Sequence, residues 1–172
     1  MKEAKGIKSN LKGVKIIHDD YLLLMSNVEL AMTDCKSCIY VDDHFMSLSD
    51  NLKQFIIAHE EGHIALKHTL LEPNPYSFEY DRQEKEADKY AYRQCGIEIT
   101  EEFITFVKKH KEDFEAMGTY EHVESRISAL EMHIITQKVV DSKDKKKQEI
   151  VAQLFEDFAN LFADFANDLA EL

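Results

Sequence analysis

Two prolines and five glycines are all that punctuate 172 residues, and this scarcity of chain breakers favours long helices. No run approaches the roughly 18 apolar residues needed to span a membrane. A lysine-then-apolar signal pattern is also missing, because Lys8, Lys12 and Lys15 interrupt the N-terminal stretch, so the expectation is a cytoplasmic or otherwise unexported protein. Three cysteines, Cys35, Cys38 and Cys95, are an odd number without framework spacing, which suits a reducing compartment. Cys35 and Cys38 form a C-x-x-C, but no second such pair or nearby histidine pair completes a zinc ribbon, and they read as small residues near a turn. Positive charge is in short supply too. With 21 basic against 33 acidic side chains the net charge is −12, which argues against general nucleic-acid or anionic-membrane binding, since both partners are polyanions.

What is present is globular in composition, 44% hydrophobic and 10% aromatic, at a length that fits one domain with a modest appendage. The charge is unevenly spread. Residues 1 to 15 hold five lysines and one glutamate, and read as a short solvated arm; residues 150 to 172 hold five acidic residues and no base. Residues 14 to 32 are too crowded with apolar side chains to separate helix from strand-then-helix by period. "CIYV" at 38 to 41, followed by "DD", is the best strand candidate. Ser49 or Asp50 can cap a helix beginning near Asn51, which Pro73 and Pro75 end. A second helix is expected from about Asp81 to Cys95, with Gly96 at the position after its end. Further helices are expected from Thr100 to about His110 and from Tyr120 to about Val140. The fold class expected is α+β and helix-rich, with a core over residues 1–140 and a charged linker at 141–149. An acidic amphipathic helix at 150–172 would carry Val151, Phe158, Phe165 and Leu172 every seven residues. That stripe would dock on its own domain or pair with a partner or a second copy.

The chemistry concentrates in "FIIAHEEGHIALKH", residues 55 to 68. His59 and His63 are four apart, so on a helix they share a face and both imidazoles can reach one ion. Glu60 projects to the adjacent side, able to take a proton from a water on that ion without being a ligand, the H-E-x-x-H arrangement. With eight histidines and 19 glutamates in the chain, composition alone would produce this pattern only roughly 0.04 times. Ala58 and Gly62 are small enough for a neighbouring element to approach the helix closely.

A catalytic zinc needs a third protein ligand, and "EKEAD" at 84 to 88 is the evident supplier. Glu84 and Asp88 again share a helix face, with Glu84 as the ligand and Asp88 as acceptor from a ligand histidine. Glu86 points away by about 200° at a helical 100° per residue and is a backup ligand only. His68 falls on the far side of an extended first helix from His59, and is read as a non-ligand. His18, His44, His110 and His133 have no metal-like partners in sequence. Candidate oxyanion donors are His122 or Arg126, four apart, and Tyr76 and Tyr80. With zinc at His59, His63 and Glu84, and Glu60 as base, peptide-bond hydrolysis is the reaction this set supports best.

Taken together, "FIIAHEEGH" followed by "EKEADKYAYR" resembles the ImmA/IrrE family of metallopeptidases. Members share an apolar-Ala-His-Glu-x-Gly-His helix and then an E-x-x-A-[ND]-x-[FY]-A helix. The resemblance runs from about Ile39 to Ile97. It implies a zincin-like, specifically gluzincin-like fold, with an active-site helix on a small sheet, and assigns His59, His63 and Glu84 as ligands and Glu60 as base. Where the family has a proline after the second helix, this chain has "CGIEIT". "HVESRISAL" at 122 to 130 is similar to a segment of membrane-bound HtpX-like peptidases, with valine in place of proline. Some ImmA/IrrE members cleave a repressor, often in phages, mobile elements or stress responses. The resemblance therefore implies a zinc endopeptidase with a specific protein substrate and no direct nucleic-acid or membrane binding of its own. The competing expectation is a structural or assembly protein of a phage or mobile element that keeps the fold, with the tail mediating assembly.

Overall fold

Four short strands form one mixed sheet: β1 (Lys2–Glu3), β2 (Lys15–His18), β3 (Ala31–Thr33) and β4 (Cys38–Val41), in the order β1-β2-β4-β3. The computed structural model describes residues 2–26, 30–69, 77–116, 120–142, 145–146, 148–150, 152–153 and 156, without the side chains of 24–26, 114–116 and 120–122. β2 and β4 run parallel, with Ile16 opposite Ile39, while β1 and β3 flank them antiparallel. Strands so short persist because one face is buried. Ile16, Ile39 and Val41 form a core with Phe45, Ile56 and Ile57 from the helices, and period-2 alternation turns the intervening residues outward.

The stretch 14 to 32 resolves as strand, helix α1 (Asp20–Ser26), and strand β3, which periodicity could not separate. "CIYV" is a strand over the residues expected of it. The lysine-rich start differs from the arm expected. Lys2 and Glu3 pair with His18 and Ile17, Ala4 is buried, and Ser9 Oγ and the Asn10 N–H donate to Glu61 Oε1 at 2.6 and 2.5 Å. The physical reason is that water screens exposed charge: the lysines face solvent while the backbone of Lys2 and Glu3 pairs with β2.

A short helix α2 (Asp43–Ser47), capped by Asp42, leads into α3 (Asp50–Ala65), whose cap is Ser49: its hydroxyl accepts the Leu52 N–H. Helix α4 (Phe78–Lys109) starts at the Ser77 cap, earlier than Asp81. Gly96, at φ 79° and ψ −177°, breaks it, a left-handed conformation that residues with a Cβ adopt only at a cost. Thr100 lies inside the second half, its hydroxyl donating to the Gly96 carbonyl. Then follow α5 (Lys111–Ala116) and α6 (Tyr120–Asp141). The chain is thus helix-rich, with a small four-stranded mixed sheet, an α+β architecture. It divides into two units, Met1–Leu130 and Glu131–Leu172, and the residues discussed below all belong to the first. Pro73 and Pro75, and nearly all of the acidic stretch 150–172, lie outside the described residues.

α3 and α4 lie side by side and antiparallel. Glu102 accepts from Ser49 Oγ and Asn51 Nδ2 at the start of α3, Phe103 stacks on Phe55 with centroids 4.1 Å apart, and Gly62 meets Ala87 near the end of α3. A Cβ on Gly62 would lie 3.0 Å from the Ala87 Cα, so its absence is what allows the two backbones to come this close. Among the described residues no helix is long and apolar enough to cross a membrane.

Candidate metal centre

Because α3 and α4 touch at Gly62 and Ala87, the His59–His63 face of one meets the Glu84–Asp88 face of the other. His59 Nε2 and His63 Nε2 are 3.1 Å apart. Glu84 reaches both, Oε2 lying 3.4 Å from His59 Nε2 and Oε1 3.4 Å from His63 Nε2. These three side chains form a group that could hold one metal ion. Glu86 is not among them, in line with its helical offset.

Each remaining polar atom of the cluster has a partner. His59 Nδ1 donates to Asp88 Oδ1 at 2.8 Å, leaving Nε2 toward Glu84 and His63. Arg126, from α6, donates through Nε to Asp88 Oδ2 and through Nη2 to Asp88 Oδ1, both at 2.8 Å, and its Nη1 pairs with Glu84 Oε2 at 2.7 Å. Arg126 Nη2 also lies 3.4 Å from His59 Nδ1, but both atoms are donors serving the same carboxylate oxygen, so this is packing and not a hydrogen bond. Arg126, half-buried, is therefore held by two carboxylates, which favours a clamp over the oxyanion role considered for it. The side chain of His122 and the whole of Tyr76 lie outside the described residues.

The electrostatics follow from burial and pairing. Burial opposes charge on His59, yet Asp88 and Glu84 outweigh it and push its pKa up to about 10. Burial and the neighbouring charged His59 push His63 down to about 3, so it is neutral. Burial pushes Glu60 up to about 7. Burial also opposes ionisation of Glu84, but Arg126, His59 and His63 hold it at about 2, and Arg126 and His59 keep Asp88 ionised well below the usual carboxylate range.

The cluster opens on a cavity of about 350 Å³. Glu60 and Tyr80 line it beside the cluster, residues Ala31 to Thr33 of β3 form one wall, and Phe103, Phe106 and Val123 contribute an apolar wall. Burial pushes the Tyr80 phenol up to about 12, so it keeps its proton. Cys35, in a left-handed conformation in the β3–β4 turn, also borders the cavity, and Cys35, Cys38 and Cys95 are free thiols.

Three features were not visible in the sequence. His68 does not lie across the helix from His59, because α3 ends at Ala65; it is buried, with Nδ1 3.0 Å from His63 Nδ1 and Nε2 3.1 Å from Glu86 Oε2. His18 has acidic neighbours after all, Asp20 at 3.4 Å and Asp43 at 3.0 Å, although both carboxylates are exposed. Glu61, fully buried, serves to anchor the N-terminal segment on the outer side of α3. No family model matches the chain, and no curated protein or solved structure matches it either.

Proposed function

We propose that the chain is a zinc-dependent endopeptidase of the ImmA/IrrE kind, with a zincin-like active-site helix in α3 and a protein substrate. The observation that carries this reading is the convergence of His59 Nε2 and His63 Nε2, 3.1 Å apart, on the Glu84 carboxylate, whose Oε2 lies 3.4 Å from the first and Oε1 3.4 Å from the second. Donor atoms ~2.0–2.2 Å from a tetrahedral zinc stand ~3.4 Å from one another, so the donor set fits zinc in both identity and spacing. Bound there with one position open, zinc would polarise a scissile carbonyl and acidify a water molecule.

The chain's own residues supply the rest. His59 and His63 offer their Nε2 lone pairs, and Asp88 holds the His59 ring in the tautomer that leaves Nε2 free. Glu60 borders the cavity beside the ligands, where it would take a proton from the attacking water and pass it to the leaving nitrogen. Tyr80, which retains its phenolic proton, would donate to the developing oxyanion.

An extended peptide suits the cavity better than a small ester or amide. β3 is the last strand of the sheet. The Leu30 carbonyl and the Asp34 N–H bond toward β4, so by alternation the backbone groups of Ala31 and Thr33 face the other way, with a substrate strand able to pair there. That the substrate is a repressor or other regulator rests on the family resemblance.

Metal content and cleavage test the proposal together. Protein purified without chelator should carry about one zinc per chain; none, in an otherwise folded preparation, would sink the reading. Wild type and Glu60→Gln, each co-expressed with candidate substrates, should differ in cleavage products, and identical products would remove Glu60 as the base.

A further inference from the structure

We infer that His68 is a positioning residue for the metal centre: it accepts the Nδ1 proton of His63 and so presents the His63 Nε2 lone pair to the ion. The inference rests on the zinc reading above. Local backbone geometry brings His68 there. After Ala65 the chain turns through Leu66 and Lys67, the latter at φ 58°, and two reverse hydrogen bonds close the helix end: Lys67 N–H to the Ile64 carbonyl at 3.2 Å, and His68 N–H to the His63 carbonyl at 3.0 Å. This is the Schellman arrangement, which places the second residue beyond the cap over the third residue before it. Those two positions usually make an apolar contact. Here they are His68 and His63, with ring centroids 4.9 Å apart and Nδ1 facing Nδ1 at 3.0 Å.

The proton inventory allows one consistent assignment. To ligate through Nε2, neutral His63 must carry its proton on Nδ1, and that proton has His68 Nδ1 as its acceptor. His68, accepting at Nδ1, then carries its own proton on Nε2, which donates to Glu86 Oε2 at 3.1 Å. Glu86 is in turn held by Arg82 Nη1 at 2.6 Å. The opposite polarity would put the His63 proton on Nε2, where an ion could not be bound. His59 has its orienting acceptor in Asp88; the chain from His68 to Glu86 is the corresponding support for His63, built from a different helix end.

The two amide isosteres separate this role from mere packing. An asparagine at 68 can offer Oδ1 where the imidazole offers Nδ1, whereas glutamine places its amide where Nε2 lies. Metal-free wild type, His68→Asn, His68→Gln, His68→Ala and His63→Ala would be titrated with zinc against a chromogenic chelator, with circular dichroism checking the fold of each. His68→Asn should bind zinc within about threefold of wild type, and His68→Gln and His68→Ala roughly 10- to 100-fold more weakly. If His68→Ala fails to fold, the comparison of asparagine with glutamine decides alone. Equal affinity across the three His68 variants, whether equal to wild type or equally weak, overturns the inference while leaving the zinc site intact. Wild type that takes up no zinc, or His63→Ala that takes it up as well as wild type, sinks the zinc reading and this inference with it.

Discussion

Asp88 Oδ1 accepts from His59 Nδ1 at 2.8 Å across two helices, and the same carboxylate is gripped by Arg126 through Nε and Nη2. One acidic group therefore orients a candidate ligand and neutralises a clamp from a third helix. Asp88→Asn retains an acceptor for His59 but turns an amide N–H toward the Arg126 donors. The expected outcome is a loss of about 3 kcal/mol in chemical denaturation, the low end for breaking a buried pair because the Arg126 side chain keeps 21% exposure. Zinc affinity should fall roughly 10- to 100-fold in a chelator competition. Unchanged stability would show that the pair contributes nothing net.

Gly62→Ala probes the contact that brings the two ligand-bearing helices together. Alanine is the better helix former, by about 1 kcal/mol. Its Cβ would nevertheless stand 3.0 Å from the Ala87 Cα, 3.1 Å from the Tyr90 Cβ and 3.2 Å from the Ala87 carbonyl oxygen, two of them backbone atoms that cannot swing aside. Separation of α3 and α4 should win, at a net cost of about 1–3 kcal/mol by thermal or urea unfolding. Zinc affinity should decline in the same variant, since Glu84 rides on the displaced helix.

At the other end of α3, exposed Lys67 holds φ 58° without being glycine. Lys67→Gly should raise stability by up to about 1 kcal/mol, because the left-handed conformation carries no Cβ penalty there. Lys67→Val should lower it, and should weaken zinc binding if the turn delivers His68 to His63. A glycine variant less stable than wild type would contradict this account of the turn.

Asp34 gives a pH signature remote from the ligands. Its Oδ1 accepts the N–H groups of Lys36, Ser37 and Cys38 at 2.8, 2.8 and 2.9 Å. Partial burial opposes ionisation, but the three donors, helped by the Lys36 charge, hold the pKa below its ordinary 3.8. A depressed carboxyl contributes stability that is fully present above its unfolded value and lost as pH falls through the folded one. Wild type should therefore exceed Asp34→Asn by about 0.5–1 kcal/mol at neutral pH. The gap should shrink below about pH 4. A gap that does not depend on pH would rule out the charge as its source.

Much of the site was legible because its residues are paired at four-residue spacing. His59 with His63, and Glu84 with Asp88, share faces on any helix, and the capping residue Ser49 and small Gly62 indicated where the first helix begins and how closely another could approach. The misreadings have one cause. Projecting His68 onto a continuing helix put it on the far side, whereas a reversed turn after Ala65 returns it to His63. Likewise the lysines of residues 1 to 15 suggested solvation, although the backbone of Lys2 and Glu3 pairs with β2 while their side chains stay in water.

By itself, then, the sequence determined which side chains share a face, where α3 and β4 begin, and which groups could ligate or carry a proton, because these depend on spacing within one element. Only the tertiary structure decided that Arg126 clamps Asp88 and Glu84, that Glu61 anchors the N-terminal segment at Ser9 and Asn10, and that His68 packs against His63. Those contacts join residues from separate elements, or across a helix end, where direction is set by chain reversal and close packing and leaves no periodic trace.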